Sequence, residues 1–141
     1  MSIIKALQDY LITYDNMELR SIQRMMTDTT LNTPSSYAVA PAGNSKVITD
    51  IAGNRTYQNN YIFYAKETAA DEVDRQDNYD FLEDFSDWIE EQNDQGVFPT
   101  LPENYEVEEI NVSNILLFDI EDDGTGLYQV QIQMIFTKKK G

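Results

Sequence analysis

Two residue types are missing altogether: the 141-residue chain has no cysteine and no histidine. Without cysteine there is no disulfide, no thiolate nucleophile and no cysteine-based zinc or iron–sulfur site. Without histidine the commonest general base and the commonest metal ligand are gone. Basic residues are scarce, 10 against 25 acids, for a formal charge of −15. That balance excludes a generic nucleic-acid-binding surface, because neutralising phosphates needs clustered Lys and Arg. No apolar run approaches the ~18 residues of a membrane span. The start, Met-Ser-Ile-Ile, has no basic segment followed by an apolar one, so no signal peptide is expected. The two glycosylation sequons, Asn54-Arg55-Thr56 and Asn111-Val112-Ser113, are accordingly read as chance.

What is present is one domain's worth of chain. Residues 1–141 at 16.2 kDa are expected to form a single domain. Surface scaling predicts roughly 7,500 Å² exposed when folded, which leaves enough buried for a core without staples. Hydrophobic residues make up 41% of the chain, too many for a disordered acidic tail, so the charge belongs on a folded surface. It is unevenly placed. Residues 1–66 are nearly neutral, whereas residues 67–94 hold twelve acids against Arg75 alone.

Ser2 is a plausible N-cap, followed by Ile3, Ile4, Leu7, Leu11, Ile12 and Tyr14 at helical spacing. This helix is expected to run to Asp15, with Lys5, Gln8, Asp9 and Thr13 facing solvent. Met17–Met26 fits helix or strand, and Thr27–Ser36, rich in Thr, Asn and Pro, is expected to be a loop. Strands are expected at 37–40, 46–51 and 56–66, with turns at Pro41–Asn44 and Ala52–Asn54. The third strand has apolar residues on both faces, which suits a central or doubly covered strand. Asp77 or Asn78 opens a second helix, in which Phe81, Leu82, Phe85, Trp88 and Ile89 form an apolar stripe. Asp80, Glu83, Asp84, Asp87, Glu90 and Glu91 cover its other face, and Gly96 is the expected stop. Strands at 107–120 and 127–137 close the chain, the first with a bulge near Asn114, the two joined by a turn at Asp123-Gly124. Lys138–Lys140 are expected to fray. The fold class is α+β: an antiparallel-dominated β-sheet with an N-terminal helix and a central amphipathic helix packed on one face.

Few residues carry chemistry. Asp119–Gly124 resembles the start of a calcium loop, but Val130 stands where the twelfth-position Glu is needed, so a hairpin turn is the reading. Asp84 with Asp87, or Asp71 with Asp74, are acids at i, i+3 on an outer face and read as solvated, not as a catalytic pair. No nucleotide-binding or nucleophile-elbow motif occurs. The chain is therefore not expected to be an enzyme or to hold a cofactor or metal. The glutamines of the last strand read as a wet sheet face.

The stretch from Asn78 to Leu101 has a Phe-x-x-x-Phe-x-x-Trp helix, then Gln92-Asn93, Gly96 and a Pro99-x-Leu101 loop. It resembles the tail terminator family of long-tailed phages and prophages, proteins often labelled minor capsid or minor tail proteins. Gly53–Glu67 and Leu127–Thr137 look like that family's aromatic strand and final alternating strand. The resemblance implies a structural virion protein at the head–tail junction, assembled in the host cytoplasm. It would form a homohexameric ring that caps the tail tube and meets both the tube protein and the head–tail connector protein. DNA would only pass through, and no membrane is involved. The family has no catalytic signature, so no site residue is transferred. For ring or lumen contacts the charge pattern itself offers Arg20, Arg24, Lys46 and Arg55 on one side and Asp80, Asp84, Asp87 and Glu91 on the other. Alternatives are a connector or another minor tail protein, or an acidic DNA-mimic inhibitor.

Overall fold

The computed structural model describes residues 2–14, 26–27, 36–43, 45–69, 71–120 and 124–139. Among the described residues two helices and six strands follow in the order α1 (Ile3–Leu11), β1 (Met26–Thr27), β2 (Ser36–Pro41), β3 (Lys46–Thr49), β4 (Arg55–Thr68), α2 (Glu72–Gln95), β5 (Tyr105–Ile120) and β6 (Thr125–Lys138). This is the α+β class expected. The sheet runs β1-β2-β4-β6-β5, and β3 pairs with β4 beside the end of β4 that β2 leaves free. Among the described residues every pairing is antiparallel except the two-residue β1–β2 contact. β4 is central, as its two-sided apolar pattern suggested.

One sheet face is apolar. Tyr61, Phe63 and Ala65 of β4 and Tyr128, Val130, Ile132, Met134 and Phe136 of β6 are buried on it. The alternation in β6 is strict because a strand turns successive side chains to opposite faces. Both helices pack on this face. Leu7 and Leu11 of α1 and Phe81, Leu82, Phe85 and Ile89 of α2 join the same cluster. Trp88 is only partly buried and packs its ring 5.4 Å from Tyr10 and 5.2 Å from Tyr14, which ties the two helices together. The total exposed surface, 8113 Å², is close to the scaling value.

Local signals behave as chemistry dictates. Ser2 caps α1 by accepting a bond from the Lys5 amide. Gly96 ends α2 at φ 72°, with its N–H on the Asn93 carbonyl and the Val97 N–H on that of Gln92. This pairing satisfies carbonyls that the helix leaves open. Asn114 lies at φ 56° where the β5–β6 register shifts, the bulge expected there.

Five expectations are corrected. α1 ends at Leu11, with Ile12 as its cap, short of Asp15. α2 begins at Glu72, not at Asp77 or Asn78, because Asp71 caps it through the Asp74 amide and Glu72 and Asp74 suit the helix's positive end. Gln8 is buried at 5% exposure instead of facing solvent, and its Nε2 donates to Thr27 Oγ1 at 2.9 Å. Thr27 and Ser36 belong to strands, not to a loop; 28–35 and Met17–Met25 lie outside the described residues. Lys138 is in β6, and the Lys139 N–H donates to the Asn104 carbonyl at 2.8 Å, so neither frays; Lys140 lies outside the described residues.

Candidate functional site

The charged surface is set by helix phase. With Phe81, Leu82, Phe85 and Ile89 turned into the core, Asp80, Asp84, Asp87 and Glu91 are forced onto the opposite, exposed side of α2. They follow i, i+4, i+7, i+11 and so form one straight rib. Its lower turn has no base among Gln92–Gln95, so the acids near that end oppose the helix dipole. Among the described residues no ion pair involves any of the four.

Lys46 and Arg55 sit elsewhere. They lie on the β3–β4 hairpin, at the sheet edge away from β5, exposed and without an ion pair among the described residues. The structure therefore gathers the four acids on one rib but does not join them to these bases within a subunit. Arg20 and Arg24 lie outside the described residues.

The register shows an arrangement that no single segment reveals. Lys46 pairs with Gln58, Gln58 with Ile135, and Ile135 with Glu109. One row thus crosses the sheet from a base on one edge to an acid on the other. The next row runs Val47, Tyr57, Phe136, Val107, and the one after it Ile48, Thr56, Thr137, Glu106. The β3 end of these rows is uncovered, with Val47 at 54% and Ile48 at 59% exposure. At the β5 end, Glu106 bonds Lys139 Nζ at 3.1 Å and Glu108 accepts from Thr137 Oγ1 at 2.8 Å. Sequence reading missed these acids. Their only signal was the cluster of glutamates flanking Val107.

The face opposite the helices is polar. A depression of about 330 Å³ is lined by Asn60, Asn111, Ser113, Gln131 and Gln133 beside Gly43. Within it Gln133 Nε2 donates to Asn60 Oδ1 at 3.2 Å, and Gln131 Oε1 accepts from Asn114 Nδ2, beside it, at 2.8 Å. This is the wet face expected of the glutamine row.

Inside, a polar knot holds the start of α2 to the sheet. Asn78, on the same phase as the apolar stripe, donates to the Thr68 carbonyl at 2.9 Å and to the Tyr128 hydroxyl at 3.1 Å. Tyr37 donates to the buried Glu67 at 2.8 Å. Burial pushes the Tyr128 pKa up, the bond from Asn78 and the Arg75 charge oppose this, and Tyr79 and Glu67 add to it. The stripe's phase at position 78 was the available signal for this knot. Asp71 and Asp74 serve as helix-cap partners, and Asp84 and Asp87 point outward. Among the described residues no cluster of three His, Cys, Asp or Glu is placed to hold a metal, and no helix is long and apolar enough to cross a membrane. No family model matches the chain, and no curated protein matches it.

Proposed function

We propose that this chain is a structural tail terminator, a subunit that closes into a hexameric ring at the end of a phage tail tube. The observation that carries the reading is the pair of unlike sheet edges. One edge, at β3, is basic and apolar; the other, at the lower end of β5, carries Glu106, Glu108 and Glu109. A ring of identical subunits needs two different complementary patches on each copy, and a closed rotation between them. The sequence resemblance supplies the tail context. On this reading the tail tube protein and the head–tail connector protein are the partners, and DNA passes through without specific binding. The acidic rib of α2 would then repel DNA phosphates wherever it faces the channel, or meet a cationic partner at the ring's surface.

The test is mass measurement in solution with negative-stain microscopy, alone and with tail tubes. Six-fold rings, free or on tube ends, are expected. A strict monomer at high concentration that ignores tubes sinks the reading. Tight 1:1 capture by a basic DNA-binding protein would favour the DNA-mimic alternative, for which the straight rib of four carboxylates is the supporting feature.

A further inference from the structure

We propose that neighbouring copies join by adding β3 of one subunit, antiparallel, to the lower edge of β5 in the next, which continues the sheet across the seam; this rests on the ring reading above. Four observations converge on it. First, among the described residues no strand pairs with the outer side of either β3 or β5. Such unpaired edges recruit another strand unless they are blocked. Second, the lengths match. Higher on β5 the Ile110 N–H is taken by Asn93 Oδ1 at 2.9 Å and the Leu117 N–H by the Tyr79 hydroxyl at 3.1 Å, both from α2. Below these two caps, and above the Tyr105 N–H that turns back to the Pro102 carbonyl, the edge runs through 106–109, the same length as the four residues of β3.

Third, the directions agree. β3 runs opposite to β4, β4 opposite to β6, and β6 opposite to β5. A second copy related by rotation about an axis along the strands therefore brings β5 antiparallel to β3. Fourth, the rows match in kind. The row ending at Lys46 meets the one ending at Glu109, and both residues lie on the polar face. The apolar row left open at Val47 meets Val107, which covers a side chain now 54% exposed.

The absence of cysteine makes the seam directly testable. The full chain carrying Lys46→Cys and Glu109→Cys has only those two thiols, on opposite edges of one subunit. Under mild oxidant it is expected to give a disulfide ladder that ends at a closed six-subunit band. Lys46→Cys alone, and Lys46→Cys with Asp87→Cys, are expected to stay unlinked. In parallel, Lys46→Glu is expected to weaken the oligomer and Lys46→Glu with Glu109→Lys to restore it, with circular dichroism confirming the fold of each. Rings that form without the 46–109 link, or dimers linked 46–46, overturn the seam and leave the ring standing. An open-ended 46–109 ladder supports the seam and overturns the hexamer. No oligomer and no ladder, in solution or on tubes, overturns both.

Discussion

Tyr10 shows how one buried side chain sets a pH limit. It is 7% exposed, its hydroxyl donates to the Val97 carbonyl at 2.9 Å, and its ring packs on Trp88. Burial pushes its pKa up from 10.0 to about 12. The folded state therefore keeps a proton that the unfolded chain releases. Stability from this source is full below pH ~10 and falls as pH rises from there to ~12, by roughly 1.4 kcal/mol per pH unit. Tyr61 and Tyr128 are shifted the same way by burial. Urea midpoints measured from neutral to strongly alkaline pH should fall above pH ~10, and Tyr10→Phe should make that fall shallower. An unchanged slope in the variant would mean the hydroxyl ionises as freely in the fold as out of it. The same residue shows what sequence leaves hidden. Its place in an apolar helix face was legible, but its bond to Val97, 87 residues away, was not.

At the scale of elements, α2 depends on its ends. Asp71 accepts from the Asp74 amide at 2.9 Å, one of four donors the helix start leaves open. Asp71→Ala should lower stability by about 1 kcal/mol. Gly96→Ala should cost about as much, since a side chain at φ 72° is strained although nothing lies within 4 Å of the added carbon. Thermal melts of the two variants and of the double variant test this. The losses should add, because the two ends share no partner; a double variant no worse than either single one would mean the helix ends do not act independently. The start of α2 escaped the periodic reading for a physical reason. Its first turns, Glu72–Asp77, have one apolar residue, Val73, and it is exposed. Cap chemistry and the Asn78 bonds to Thr68 and Tyr128 fix that start, whereas packing fixes Phe81–Ile89, which the spacing gave away. The β strands were legible wherever one face is buried. β3 is exposed at all four positions, yet turn residues on both sides still marked it. The rows from Lys46 to Glu109 were not legible, because register between strands more than 40 residues apart is a property of the assembled sheet.

The whole molecule carries −15, and any assembly must overcome that. Two such copies with centres ~30 Å apart, about the diameter of a small domain, repel by roughly 30 kcal/mol in salt-free water. At ~0.15 M salt the Debye length is ~8 Å, and the repulsion drops to about 1 kcal/mol. An exposed ion pair such as Lys46 with Glu109 contributes only ~0–1 kcal/mol, so its loss to screening is small beside that gain. Backbone bonds along the β3–β5 edge and the covered Val47 row are barely affected by salt. Assembly should therefore strengthen with salt: mostly monomer near ~10 mM, and rings appearing as ionic strength approaches ~150 mM. Sedimentation velocity across that range reads it directly. The opposite trend, oligomers at low salt that dissolve as salt rises, would mean that ion pairs dominate the contact and that the acidic rib meets a neighbour's bases. A DNA mimic would also show that opposite dependence, since its complex with a basic partner is held by the charges that salt screens.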